Sequence, residues 1–130
     1  MAVLQDAIPA EKPEVFVFSD ARGTTAVSVD EAAADQFVDD VITIRQLGNV
    51  SDIETVRNFL DKHVEEGEAA AVFHTIVDPN LRRALRAELD ERGIPSIDLL
   101  GPSITIIATL TGQEPKYETG RRTQIQIEQA

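Results

Sequence analysis

Ser19, Asp20, Gly23, Thr24 and Thr25 follow directly on an apolar run in the stretch VFVFSDARGTTAVSV, residues 15–29. A strand that ends in polar residues, turns through a glycine and enters a helix leaves backbone N–H groups without partners at the turn. The helix dipole adds partial positive charge at the same place. Such a loop suits an anion. Gly23 permits close backbone approach, and Thr24 and Thr25 are placed to cap the helix or to donate to a phosphate. Two further segments have the same strand-to-helix character, TIVDP at 75–79 and LLGPS at 99–103. Together they give a candidate anion- or ligand-binding set of Ser19, Asp20, Gly23, Thr24, Thr25, Thr75, Asp78 and Gly101. The same residues have a purely structural use, because Asp20, Thr25 and Asp78 are good helix caps and Gly23 is a good turn residue.

No catalytic constellation accompanies the set. The sequence contains neither G-x-x-x-x-G-K-[ST] nor G-x-G-x-x-G, so neither a lysine-bearing phosphate loop nor a dinucleotide fingerprint is present. A phosphate-accepting receiver site would need paired acids after the first strand and an aspartate after the third; here only Asp20 stands in place, and the third strand ends in His74-Thr75. The two histidines, His63 and His74, have no ligand neighbour at metal spacing. His63 falls on an apolar helical stripe and reads as packing; His74, near a strand end, is open between reaching the site edge and the preferred reading of a partly buried histidine with its hydrogen bonds satisfied. No metal site is expected. Arg82, Arg83 and Arg86 form a candidate partner-binding surface, Arg82 and Arg86 being four residues apart on one outward strip. Exposed ion pairs from Arg86 to Asp90 and from Glu88 to Arg92 are the plain alternative.

The rest of the composition narrows the classes. Net charge is −11, and residues 24–68 hold eleven acids against three bases. Such a surface repels phosphate backbones, so nucleic acid is not an expected partner. There is no cysteine, which excludes disulfides, thiolate metal sites and thiol nucleophiles and fits a cytoplasmic setting. The first residues, MAVLQDAIPAEKPE, lack the basic and apolar regions of a signal peptide, and no stretch approaches a membrane span.

The elements that must hold these residues alternate. EVFVFSD, VITIRQL (41–47), AAAVFHTI (69–76) and IPSIDLL (94–100) read as strands, short and rich in β-branched residues. Residues 24–38 read as a helix with Val29, Ala32, Ala33, Gln36 and Phe37 on its inner stripe. Residues 51–66 read as a helix with a Ser51–Glu54 capping box and Gly67 as its stop. Residues 78–93 read as a helix capped by Asp78, with Pro79 in its first turn, Leu81, Ala84, Leu85 and Leu89 inward and Gly93 as the end. Residues 101–112 mix strand and helix signals, and Pro102 tips them to helix. The tail TQIQIEQ is open between a fifth strand and an unpaired end. The pattern predicts an α/β three-layer sandwich with a four- or five-stranded, mainly parallel sheet of flavodoxin-like or Rossmann-like type. Residues 1–14 form a lead-in, 15–115 the domain and 116–130 a tail.

Taken in order, FSDARGTTA, FHTIVDPNLRRALRAELDERGIPSIDLLGP and TGQEP resemble the N-terminal half of the pyruvate, phosphate dikinase regulatory proteins and their relatives acting on phosphoenolpyruvate synthase. The family's opening motif resembles S-D-S-T-G-E-T-A. Ser19, Asp20, Gly23, Thr25 and Ala26 match it, and Ala21, Arg22 and Thr24 depart from it. The resemblance implies a regulatory domain of a bifunctional serine/threonine kinase and pyrophosphorylase, with the dikinase or the synthase as partner. In the full-length family, ADP and phosphate would be used at a G-x-S-R-T-S-K-T-P loop in the other half. Nothing in this sequence matches that loop, so no cofactor and no catalytic residue is assigned to this chain, which is expected to be inactive alone. A subunit contact, and hence a homodimer, is left open. The alternative is a stand-alone small-ligand or anion-binding sensor.

Overall fold

The computed structural model describes residues 12–38, 41–65, 68–119, 126 and 128. Strands and helices alternate in the order β1 (Glu14–Ser19), α1 (Thr24–Ala34), β2 (Thr43–Leu47), α2 (Ile53–His63), β3 (Ala70–Thr75), α3 (Pro79–Glu91), β4 (Ser96–Asp98) and α4 (Gly101–Thr111). The sheet order is β2-β1-β3-β4, and every pairing is parallel. The chain is thus an α/β, three-layer, flavodoxin- or Rossmann-like sandwich. Right-handed crossovers to opposite sides of β1 put α1 on one face of the sheet and α2 and α3 on the other.

Side chains alternate across each strand, and the two faces differ accordingly. Phe16, Phe18 and Val72 pack with Val56 and Leu60 of α2 and Leu81, Leu85 and Leu89 of α3 in one buried cluster. Phe59 meets Phe16 and Phe18 edge-on, at centroid separations of 5.5 and 5.6 Å, the favoured geometry for ring quadrupoles. His63 lies half-buried one turn on, 4.4 Å from the Phe59 ring, as a packing residue should.

Helix α3 forms where its local signals put it. Asp78 accepts from the Asn80 N–H at 2.8 Å, and Pro79 occupies the first turn. Gly93 has φ 69°, and Ile94 N–H donates back to the Leu89 carbonyl at 2.9 Å, a left-handed glycine stop.

Other expectations need correction. The cap of α2 is Asp52, not Ser51: its extended backbone turns the carboxylate onto the Thr55 N–H at 2.8 Å. Helix α1 ends at Ala34 and buries Ala26 and Asp30. The stripe read from the sequence faces out, with Val29 at 42% and Phe37 at 68% exposed. Strand β4 keeps three residues, all paired to β3. Residues 101–111 are helical. Gly67 and most of TQIQIEQ lie outside the described residues, and the fifth strand with them.

Candidate functional site

The chain leaves β1 for β2 on one side and reaches β3 on the other, so a crevice opens at the carboxyl ends of β1 and β3. There Ser19 and Thr75 stand at the same register. A notch of about 570 Å³ lies over them, and Ser19, Asp20, Gly23, Thr24, Thr25 and Thr75 of the candidate set line it. Ser19 and Thr75 are buried at its floor, whereas Thr24 and Thr25 are exposed at its wall.

Hydrogen bonds fix the loop that forms the wall. Ser19 Oγ accepts from the Ala21 N–H at 2.9 Å. The Asn49 and Val50 N–H groups donate to the carbonyls of Ala21 and Ser19 at 2.8 and 2.9 Å, tying the loop after β1 to the loop after β2. The Gln46 side-chain amide donates to the Arg22 carbonyl. Asp20 Oδ2 accepts from the Val77 N–H at 2.7 Å, tying the loop after β1 to the loop after β3. Gly23 has φ 80°, and a side chain there would press on the Gln46 amide. The left-handed backbone is what calls for glycine, since the flexible Gln46 side chain could give way.

Helix α1 then begins with no side-chain cap and no acid in its first turn, while α2 and α3 are capped by Asp52 and Asp78. Its first N–H groups and the two threonine hydroxyls supply donors to the notch. Among the described residues lining it Arg22 is the one cation, against the carboxyl groups of Asp20 and Glu118. The notch thus offers an anion oriented dipoles more than net charge.

Two candidates stand elsewhere. Asp78 is engaged in capping α3. Gly101 is packed under Asp98 and Arg82 with no room for a side chain. Asp98 Oδ1 accepts from the Leu100 and Gly101 N–H groups at 2.9 and 2.7 Å, and Leu100 is the residue that reaches the notch. Sequence reasoning did not pick Arg22, Val77, Leu100, Glu118 or Thr119. Arg22 and Leu100 lie inside loops already singled out. Nothing local in GQEPKYET marks Glu118 and Thr119, which arrive because Gly112, at φ 69°, ends α4 with a turn.

The arginines divide. Arg82 is not on an outward strip: its side chain is 19% exposed and its Nε is 3.7 Å from Asp98 Oδ2. Arg86 is outward at 69% and pairs with Asp90 at 3.3 Å, and exposed Arg83 bonds the Asn80 amide oxygen. Behind Asp98, at the same register on β3, His74 is 1% exposed. Neither ring nitrogen has a hydrogen-bond partner, contrary to the expected satisfied histidine. Burial pushes its pKa down, opposed by Asp98 and assisted by Arg82 and Arg86, so the ring is neutral at neutral pH.

A larger hollow, about 850 Å³, opens at the amino ends of the strands and is lined by Glu14, Glu65, Glu68 and Glu91 among others. Arg92, the one arginine among its described lining residues, is held by Glu88 and Asp61. Converging helix donors favour the notch instead. Among the described residues no cluster of three or more His, Cys, Asp or Glu is arranged for a metal ion, and no helix is long and apolar enough to cross a membrane.

Comparison with known proteins bears on the whole domain. The family model described as kinase/pyrophosphorylase matches residues 15–130. A protein of Halalkalibacterium halodurans named as a pyruvate, phosphate dikinase regulatory protein is 36% identical over 110 residues, covering 85% of this chain and 40% of that protein. One of the same name from Carboxydothermus hydrogenoformans is 33% identical over 108 residues, 83% of this chain and 38% of its own length. A third, from Syntrophomonas wolfei, is 35% identical over 108 residues, 83% and 39% respectively. The chain therefore spans about 40% of the length of the curated relatives it matches.

Proposed function

The chain belongs to the kinase/pyrophosphorylase family, and from that membership we propose that it is the docking and ligand-sensing unit of a regulator of pyruvate, phosphate dikinase or phosphoenolpyruvate synthase. In this reading the full-length regulator transfers the terminal phosphoryl group of ADP to a threonine hydroxyl of its target, leaving AMP. It removes that group by attack of inorganic phosphate, which frees the threonine hydroxyl and releases pyrophosphate. The observation that carries the proposal is the match over residues 15–130 to relatives named for dikinase regulation.

The residues of this chain do not suit the transfer itself. Phosphoryl transfer rests on positioning and charge stabilisation by a phosphate loop, a cation and a base. Here the loop after β1 has no lysine. Its one arginine stands beside two carboxyl groups in the notch, so ADP has no evident place and no catalytic step is derived from these residues. Docking falls to the exposed Arg83 and Arg86. Arg82, engaged by Asp98, holds the end of β4.

Purified chain is expected to bind dikinase and to form no phosphothreonine on it with ADP. Phosphothreonine above a no-protein control would refute the inactive reading, and absence of binding would refute docking. The variant Arg83→Gln/Arg86→Gln is expected to weaken binding, more so at low ionic strength, with the melting temperature unchanged. The notch supports a second reading, an anion sensor independent of a target. Phosphate titrated against amide chemical shifts should then move Gly23 to Ala26 most, in a chain that ignores dikinase.

A further inference from the structure

One hydroxyl on the floor of the notch is left unused by the fold. Thr75 is 7% exposed and lines the opening. Its neighbour at the same register, Ser19, uses its Oγ to accept from the Ala21 N–H. Among the described residues the Thr75 hydroxyl has no such partner, and it is not one of the oxygens sealed into the core. It therefore opens on the notch. A polar group stripped of most of its water and given no partner carries a cost on folding, which a bound molecule would recover.

The walls offer two opposite kinds of group. Donors come from the uncapped start of α1, from Thr24 and Thr25 and from Thr75. The acceptor is Asp20. Its Oδ2 takes the Val77 N–H at 2.7 Å, which fixes the carboxyl group in place. Its Oδ1 has no hydrogen-bond partner among the described residues. A simple anion meets the carboxyl groups of Asp20 and Glu118 with Arg22 alone in return, so Coulomb repulsion opposes what the helix dipole offers. A simple cation is repelled by that dipole. A molecule bearing both charges answers both walls.

We propose that the notch binds a small zwitterion, of the class of the free amino acids. Its carboxylate meets the first N–H groups of α1 and the Thr75 hydroxyl, and its ammonium group meets Asp20 Oδ1. The inference rests on the ligand-sensing part of the function proposed above and names the class of ligand sensed. Inorganic phosphate, which brings negative charge and no cation, is the poorer fit.

Amide chemical shifts of the 130-residue chain, titrated at pH 7 and constant ionic strength, test it. The probes are L-alanine, with both charges; propionate, without the ammonium group; ethylammonium, without the carboxylate; and inorganic phosphate. L-Alanine should move Gly23 to Ala26 and Thr75 most, along one saturating curve. Its Kd should lie about fivefold below that of propionate, the worth of one hydrogen bond, and ethylammonium should leave these amides still. Asp20→Asn keeps an acceptor for the Val77 N–H and should bring L-alanine level with propionate. Thr75→Val keeps the shape without the hydroxyl and should weaken both. An unchanged spread of amide signals checks the fold of each variant, and the comparison of probes on the unaltered chain stands without them. Propionate or phosphate binding at the same amides as tightly as L-alanine would overturn the zwitterion and leave an anion site. Undiminished L-alanine binding in folded Asp20→Asn would also overturn it. No shift with any probe, or shifts centred elsewhere, would overturn the zwitterion and the ligand-sensing reading together.

Discussion

Asp30 is the residue whose surroundings fit its chemistry least. It faces the sheet from α1 at 1% exposure, and its Oδ2 has no hydrogen-bond partner. Burial first, and the Glu31 charge second, push its pKa up. A carboxyl group that binds its proton more tightly folded than unfolded loses stability as pH rises from its unfolded pKa through its folded one. At neutral pH its charge opposes folding. Asp30→Asn should therefore raise the melting temperature at pH 7 by a few degrees, on the order of 1 kcal/mol. At pH 3, where both side chains are neutral, it should change little. A fall at pH 7 would show that the carboxylate is held by a partner. The same residue explains why the inner face of α1 was misread in the sequence. Polarity excluded Asp30 and favoured Val29 and Phe37, but the rotation of the helix is set by its entry. Gly23 under Gln46 and buried Ala26 against the sheet bring position 30 inward one turn later.

Between elements, α2 and α3 are joined at their exposed edge by a small ion-pair network in which Asp61 also holds Arg92 and one carboxylate is well placed. Glu88 accepts from Arg57 Nε and Arg92 Nε, each at 2.8 Å, and its side chain is 12% exposed. Both guanidinium groups hold its pKa below the usual carboxylate range. Glu88→Ala is expected to lower the urea midpoint by the equivalent of about 1 kcal/mol, as for a hydrogen-bonded charge discounted for solvent screening. Removing the exposed Arg86–Asp90 pair by Arg86→Gln should cost less than ~0.5 kcal/mol. Equal losses would mean that burial does not separate the two pairs. Helix α3 was legible because its signals are local: Asp78, Pro79, three leucines at fourfold spacing and Gly93. The cap of α2 and the length of β4 were not, because they depend on tertiary context. Ser51 and Asp52 are equally good caps by type, and backbone direction selects the second. IPSIDLL has strand composition throughout, but it sits at the edge of the sheet with β3 as its one described neighbour, and pairing covers only Ser96–Asp98.

Across the whole molecule, protection should follow the layers. Strand β1 is paired on both sides and β3 between β1 and β4, whereas α4 buries one residue of eleven. Native-state hydrogen exchange at micromolar concentration should find the slowest amides at Phe16–Phe18 and Val72–Phe73, and the fastest helical amides in α4. Comparable protection in α4 and β1 would mean that α4 is held far more firmly than its contacts indicate. The sheet and the loops at its carboxyl edge could be read from alternation and turn residues. The far wall of the notch could not, since Glu118 and Thr119 owe their place to the course of the chain rather than to their own neighbours. That course has a consequence. Leu100 borders the notch where the chain enters α4, and Glu118 and Thr119 border it where the chain comes back, so the segment that carries α4 starts and finishes on the same opening. Whatever grips that segment and whatever fills the opening share these walls. Linkage then makes any influence of one upon the other equal in both directions: an anion that tightens the grip is itself bound more tightly, by the same factor, once the grip is made.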